Sequence, residues 1–153
     1  MNIEGSFEMD AAVKMPAVQL LMIPKEHVGR VLPMVIDKLH DVAQRSRGRF
    51  TVPGMLENFG SGRWQMWIIW DASSEQPKAV FGTEIYRDVG EMWICGVRFL
   101  SGDDSGQWLY LIDQLEAWAR ANGCARLDML ARKGWARKLP DYKMTHVLLE
   151  KDL

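Results

Sequence analysis

Between Arg63 and Leu100 three apolar stretches follow one another closely: "RWQMWIIWD" (63–71), "PKAVFGTEIYRD" (77–88) and "EMWICGVRFL" (91–100), joined only by "ASSEQ" and "VG". Connections this short return the chain beside itself, so the three read as consecutive antiparallel strands. In the first, Trp64, Met66, Ile68 and Trp70 share one face while Trp67 and Ile69 share the other. A strand that is apolar on both faces needs a covering layer on each side, which places it inside a sheet rather than at its edge.

The covering layers are visible on either side of this block. Upstream, "VQLLMI" (18–23) is a short apolar run stopped by Pro24, the pattern of a buried strand. Val28, Val31, Leu32, Val35, Ile36, Leu39, Val42 and Ala43 then repeat at three-and-four spacing, which predicts a helix with one buried stripe. Pro33 falls inside it, so either the helix kinks there or its regular part begins near Pro33. "SRGRF" ends this helix, and "TVPGMLENF" predicts a second, with Thr51 as N-cap and Pro53 in the first turn.

Downstream, "SGDDSG" leads into a helix whose apolar face holds Trp108, Leu111, Ile112, Leu115, Trp118 and Ala119, with Asn122-Gly123 as its C-cap. "ARLDML" (125–130) reads as a strand, "ARKGWARKL" as a short helix closed by Pro140, and "KMTHVLLEKDL" (143–153) as a final strand. The expected order is β-α-α-β-β-β-α-β-α-β, an α/β fold with a mixed sheet whose central strands are antiparallel and whose crossover helix carries the chain to a further strand.

At 153 residues the chain has room for one full core, and the organisation expected is a short N-terminal arm (1–16) and one domain (17–153). A formal charge of -1 gives no electrostatic reason to bind nucleic acid. No stretch has the ~20 apolar residues that span a bilayer, and "MNIEGSFEMDAAVKMP" lacks the apolar segment of a leader, so a soluble cytoplasmic protein is expected. Cys95 and Cys124 stand far apart without metal-ligand spacing, and His27, His40 and His146 share no pattern. No metal is expected. Seven tryptophans and ten methionines exceed the needs of such a core, so some are candidates for facing a partner, a second copy or a particle assembly.

The element order and the C-terminal run "LIDQLEAWARANGCARLDMLARKGWARKLPDYKMTHVLLEKDL" resemble the GNAT fold of N-acetyltransferases from residue 17 onward, and more narrowly small bacteriophage-encoded GNAT-like proteins. The resemblance implies acetyl-CoA as cofactor and an amine as acceptor. It places the cofactor between the fourth and fifth strands, against the amides of Val97 and Phe99 and the turn holding Gly102, Ser105, Gly106 and Gln107. It also assigns Gly96 to the strand bulge that opens the cleft.

In that family the turn follows (Arg/Gln)-x-x-Gly-x-(Gly/Ala), with free amides cradling a pyrophosphate. Aligned on Gly106, this chain has Asp103 at the first position and Trp108 at the last, a degenerate motif. A carboxylate ~4–5 Å from a diphosphate costs about 1 kcal/mol in water and a few at an effective dielectric near 20. The same residues also read as a cap, with Asp103, Asp104 or Ser105 closing the helix.

Acyl transfer to an amine asks for a proton acceptor and a proton donor. Glu84 and Glu91, on or beside the third and fourth strands, are the candidate bases, and both also read as surface carboxylates. The resemblance puts a thiolate-protonating tyrosine four residues after an alanine. Counted from Ala136 that position is Pro140, and Tyr142 follows two residues on. Arg126, Arg132, Lys133, Arg137, Lys138 and Lys143 form a basic patch around Trp135, suited to CoA phosphates, an acidic partner or solvent. Two functions stay open: an acetyl-CoA-dependent N-acyltransferase, and a non-catalytic GNAT-fold protein that binds or builds, such as a phage particle component or a modulator of a host protein.

Overall fold

The computed structural model describes residues 17–153; the N-terminal arm lies outside the described residues. The elements are β1 (Val18–Ile23), α1 (Val28–Arg45), α2 (Val52–Gly60), β2 (Gln65–Asp71), β3 (Gln76–Tyr86), β4 (Ile94–Gly102), α3 (Ile112–Ala121), β5 (Arg126–Met129) and α4 (Gly134–Lys138). The five strands form one sheet in chain order. β1 to β4 are successive antiparallel neighbours, and β5 lies parallel to β4 after the crossover through α3.

β2 is internal, paired with β1 and β3, and alternation along it builds both cores. Trp64, Met66 and Ile68 join Val35, Leu39 and Val42 of α1 and Met55 and Phe59 of α2. Trp67 and Ile69 join Trp108, Leu111 and Leu115 on the α3 side. One polar chain crosses the second core: Trp67 Nε1 donates to Thr83 Oγ1 at 2.9 Å, and the Thr83 hydroxyl donates to Gln65 Oε1 at 2.9 Å. Thr83 is fully buried, so this arrangement satisfies groups that would otherwise be stranded.

Local expectations are met at two caps. Thr51 Oγ1 accepts the Gly54 amide at 3.1 Å, and α3 ends on Gly123 at φ +83, whose amide donates to the Arg120 carbonyl at 3.0 Å. Among the described residues no helix is long and apolar enough to cross a membrane.

Of the two alternatives at Pro33, a helix whose regular part begins there is ruled out: α1 starts at Val28, a full turn earlier, because Val28 is buried with the rest of the stripe and a short 3-10 turn (Lys25–His27) leads into it. Three expectations are corrected. The helix expected from Trp108 begins at Ile112; two 3-10 turns, Ser105–Gln107 and Leu109–Leu111, precede it. No side chain caps these turns or α3. Asp104 takes a left-handed conformation (φ 54), and the two aspartates face lysines. Residues 143–153 form no strand, although their sequence favours one. They are tied at Tyr142, which donates to Glu116 at 2.6 Å, and at Glu150, which pairs with Arg47 and Arg49. Between these ties no strand edge pairs with the backbone, and Met144, Val147, Leu148 and Leu149 stay exposed.

Candidate functional site

The site begins with one extra residue. Thr83 pairs with Val97 and Gly82 with Phe99, so Arg98 has no partner position on β3. This bulge reverses the side-chain alternation. Val97 packs on the α3 side and Phe99 on the α1 side, although they are two residues apart. The bulge therefore lies at Arg98, not at Gly96, which keeps a regular position opposite Glu84. Gly96 is glycine for another reason: a Cβ there would meet Tyr86 Cε1 at 2.9 Å and Asp128 Oδ1 at 3.2 Å.

β5 pairs with β4 from Ile94–Arg126 to Val97–Met129 and then stops, while β4 continues to Gly102. Beyond Val97 the strands part around a cleft of about 270 Å³. Its lining comes from both layers: Arg45, Ser46 and Phe50 on the α1 side, and Trp108, Ile112, Leu115 and Trp135 on the α3 side. The cleft thus spans the sheet. The Asp103 amide donates to the Lys78 carbonyl of β3 at 2.9 Å. From Phe99 to Gly102 the register is regular, so alternation also turns the Phe99 and Ser101 amides toward β3 and leaves those of Leu100 and Gly102 on the β5 side.

The turn at the head of the cleft is electrostatically balanced. Lys38 holds Asp103 at 3.5 Å, and Lys78 holds Asp104 at 3.4 Å and Asp71 at 3.8 Å. Lys138, from α4, donates to Ser105 Oγ at 2.9 Å. The Ser105 and Gly106 amides have no acceptor among the described residues, and nothing lies within 4 Å of a Cβ built on Gly106. Two free amides, a nearby lysine and neutralised acids suit a phosphate better than the bare sequence suggests. The residues present could hold the acyl-CoA that the sequence resemblance implies, with an apolar channel for the arm, strand amides beside it and this turn for the phosphates.

Of the residues singled out from sequence, Val97, Phe99 and Gly102 line the cleft, while Ser105, Gly106 and Gln107 form the turn beside it. The three candidate proton carriers are not brought together. Glu84 Oε2 accepts Trp64 Nε1 at 3.2 Å and both Arg98 Nε at 2.8 Å and Nη2 at 2.7 Å, so this one oxygen is held by two guanidinium nitrogens and an indole N–H. Glu91 sits in the exposed segment between β3 and β4. Tyr142 faces Glu116 on α3; burial, then this hydrogen bond, pushes its phenol well above the ordinary tyrosine value. Cys95 is buried beside Cys124, and desolvation raises its thiol to about 12, far from nucleophilic use. Among the described residues no three His, Cys, Asp or Glu side chains gather as a metal site.

Sequence reasoning passed over Arg98, Tyr86 and Asp128. Asp128 lies on the α1 face of the sheet, where its Oδ2 accepts the Tyr86 hydroxyl across β4, and the Arg98 guanidinium stacks 4.7 Å over the Tyr86 ring. Burial, then the bond to Asp128, pushes Tyr86 up to about 12. A signal for Arg98 was present: it is the one charge inside "WICGVRFL", the mark of an interrupted alternation.

No family model matches the chain, and no curated protein does. Solved structures with a similar fold include acetyltransferases. An aminoglycoside acetyltransferase from an uncultured soil metagenomic sample, in complex with sisomicin, shares 11% identity at a TM-score of 0.65, over 90% of this chain and 97% of that one. A Trypanosoma brucei acetyltransferase matches at 11% and 0.60, over 89% and 99%. A second metagenomic aminoglycoside acetyltransferase matches at 11% and 0.62, over 89% and 97%. At such identities the likeness shows the fold: this chain has the GNAT acetyltransferase architecture.

Proposed function

We propose that the chain is a GNAT-type N-acyltransferase that moves an acetyl group from acetyl-CoA to an amine in the cleft between β4 and β5. The observation that carries this reading is the cleft that opens where the Arg98 bulge ends the β4–β5 pairing and that reaches both layers. A site spanning the sheet admits two substrates from opposite faces and lets them meet inside. Acetyl-CoA, when bound, supplies the thioester whose carbonyl carbon the amine nitrogen attacks, so that a C–N bond replaces the C–S bond and an amide and a free thiol result.

The chain's own residues have separable tasks. Leu100 and Gly102 offer amides to the cofactor arm, and Trp108, Leu115 and Trp135 exclude water along it. Ser105, Gly106 and Lys138 receive phosphate oxygens, with Lys38 and Lys78 cancelling the adjacent aspartates. The opposite face, with Arg45, Phe50 and Arg98, receives the amine.

A second reading is favoured by one fact: none of Glu84, Glu91, Tyr142 and Asp128 lines the cleft. A GNAT-fold protein that has kept the cleft and lost turnover would work by binding, and the exposed Met144, Val147, Leu148 and Leu149 would then serve a partner. Calorimetry with acetyl-CoA separates the two. Saturable binding that Ala131→Trp, at the cleft wall, abolishes is the expected result. Silence at millimolar acetyl-CoA defeats the acyltransferase reading.

A further inference from the structure

On the α1 face of the sheet, where the amine would enter, one arrangement is left without a role. Tyr86 on β3 and Asp128 on β5 reach each other over β4, and the residue beneath their contact is Gly96. With a Cβ 2.9 Å from Tyr86 Cε1 and 3.2 Å from Asp128 Oδ1, any other residue would force the pair apart. Asp128 is opposite Gly96, and the next pair, Val97–Met129, is the last before the strands separate. The carboxylate therefore stands one residue from the opening of the cleft.

Its chemistry differs from that of Glu84. Glu84 is neutralised by Arg98, and Asp41 by Arg45, whereas no cation pairs with Asp128 among the described residues. Only Oδ2 of Asp128 is engaged, by the Tyr86 hydroxyl; Oδ1 receives no donor among the described residues. A carboxylate with one oxygen fixed and the other free, exposed one residue before the cleft lining begins at Met129, can receive an N–H.

We infer that Asp128 is the proton acceptor for the amine in acyl transfer, and that Tyr86 is its positioning residue. The inference rests on the acyltransferase reading. Asp128 Oδ1 takes the proton that the amine nitrogen gives up as its bond to the carbonyl carbon forms and the C–S bond breaks. The sulfur leaves with the bonding electron pair, and the proton passes from Asp128 through solvent to that sulfur, which restores the carboxylate and leaves the thiol.

The test uses the full chain, acetyl-CoA and methylamine as the probe acceptor, with thiol release as the readout and calorimetry alongside. Asp128→Asn should lower kcat by about 10²–10⁴-fold while the Kd for acetyl-CoA stays within about twofold of wild type. Asp128→Glu should recover part of the rate. Tyr86→Phe should retain turnover and move the acidic limb of the pH–rate profile, a change that a merely structural contact would not produce. Asp128→Asn turning over within about threefold of wild type, or a wild-type protein that binds acetyl-CoA and releases no thiol with methylamine, overturns the assignment. Absence of acetyl-CoA binding by wild type overturns the acyltransferase reading itself, so the two failures are distinct.

Discussion

Asp103→Asn should tighten the binding of acetyl-CoA. The Asp103 side chain is 78% exposed and its charged partner is Lys38 at 3.5 Å. Its structural duties belong to the backbone: the amide donates to Lys78 and the carbonyl accepts Trp108 Nε1 at 2.7 Å, and both survive the substitution. Removing the carboxylate ends one repulsion with a phosphate in the turn, while the attraction of Lys38 stays in place. At such exposure the dielectric is close to that of water, where unit charges about 6 Å apart interact by ~0.7 kcal/mol. The change is therefore ~0.7 kcal/mol, or about threefold in Kd. Calorimetry at low and high salt measures it, and the gain should shrink as salt screens the turn. An unchanged Kd would mean that the turn does not hold the phosphates; a weaker one would mean that Asp103 itself helps to hold the cofactor.

Four further outcomes follow from the structure. Thr83→Val removes the acceptor of the buried Trp67 Nε1–H and should cost about 1–3 kcal/mol in urea unfolding; a loss under half of that would place the indole N–H within reach of water. Gly102→Ala should cost about 1–3 kcal/mol, because its Cβ would sit 2.4 Å from Ala79 Cβ and 2.8 Å from the Lys78 carbonyl. Gly106→Ala, which meets nothing within 4 Å, should stay within about 0.5 kcal/mol; equal effects at the two glycines would refute the described turn. Tyr86 holds its proton more tightly folded than unfolded, raised from 10.0 to about 12. Its contribution to stability is therefore complete below pH 10.0 and lost as the pH rises through about 12. Urea midpoints across that window should fall more steeply for wild type than for Tyr86→Phe.

The frame of the fold could be read from residues alone because each piece was local. The three apolar runs with short joins set the antiparallel centre, the three-and-four spacing of Val28 to Ala43 set α1, and Thr51 and Gly123 marked helix ends by their own chemistry. The site was harder because its parts meet across the sheet. Asp128 and Tyr86 are separated by 42 residues, and Gly96 lets them touch, a role that a strand glycine does not announce. The turn misled for a related reason. Lys38 and Lys78, which neutralise its aspartates, come from α1 and β3, so the local string "SGDDSG" showed two charges without their partners. The final strand failed because strand propensity is expressed only through pairing, and the segment is held instead by Tyr142 on Glu116 and by Glu150 on Arg47 and Arg49, which leaves the outer edge of β5 unpaired among the described residues.

The bulge at Arg98 also bears on how such a protein could change over generations. Deleting that one residue would restore the alternation and turn Phe99 out of its ring cluster with Phe59 and Trp64, at centroid distances of 6.0 and 6.2 Å. The parting of β4 from β5 is thereby tied to the core's own integrity: a lineage cannot remove the bulge without disturbing the centre of the domain. Glu91 carries no such tie, for its side chain lies at the surface and can be exchanged at little cost to folding. Selection for a folded chain alone would preserve the cavity and let the chemistry drift away from it. In this architecture the persistence of a cleft reports on stability, and only the groups at its rim report on catalysis.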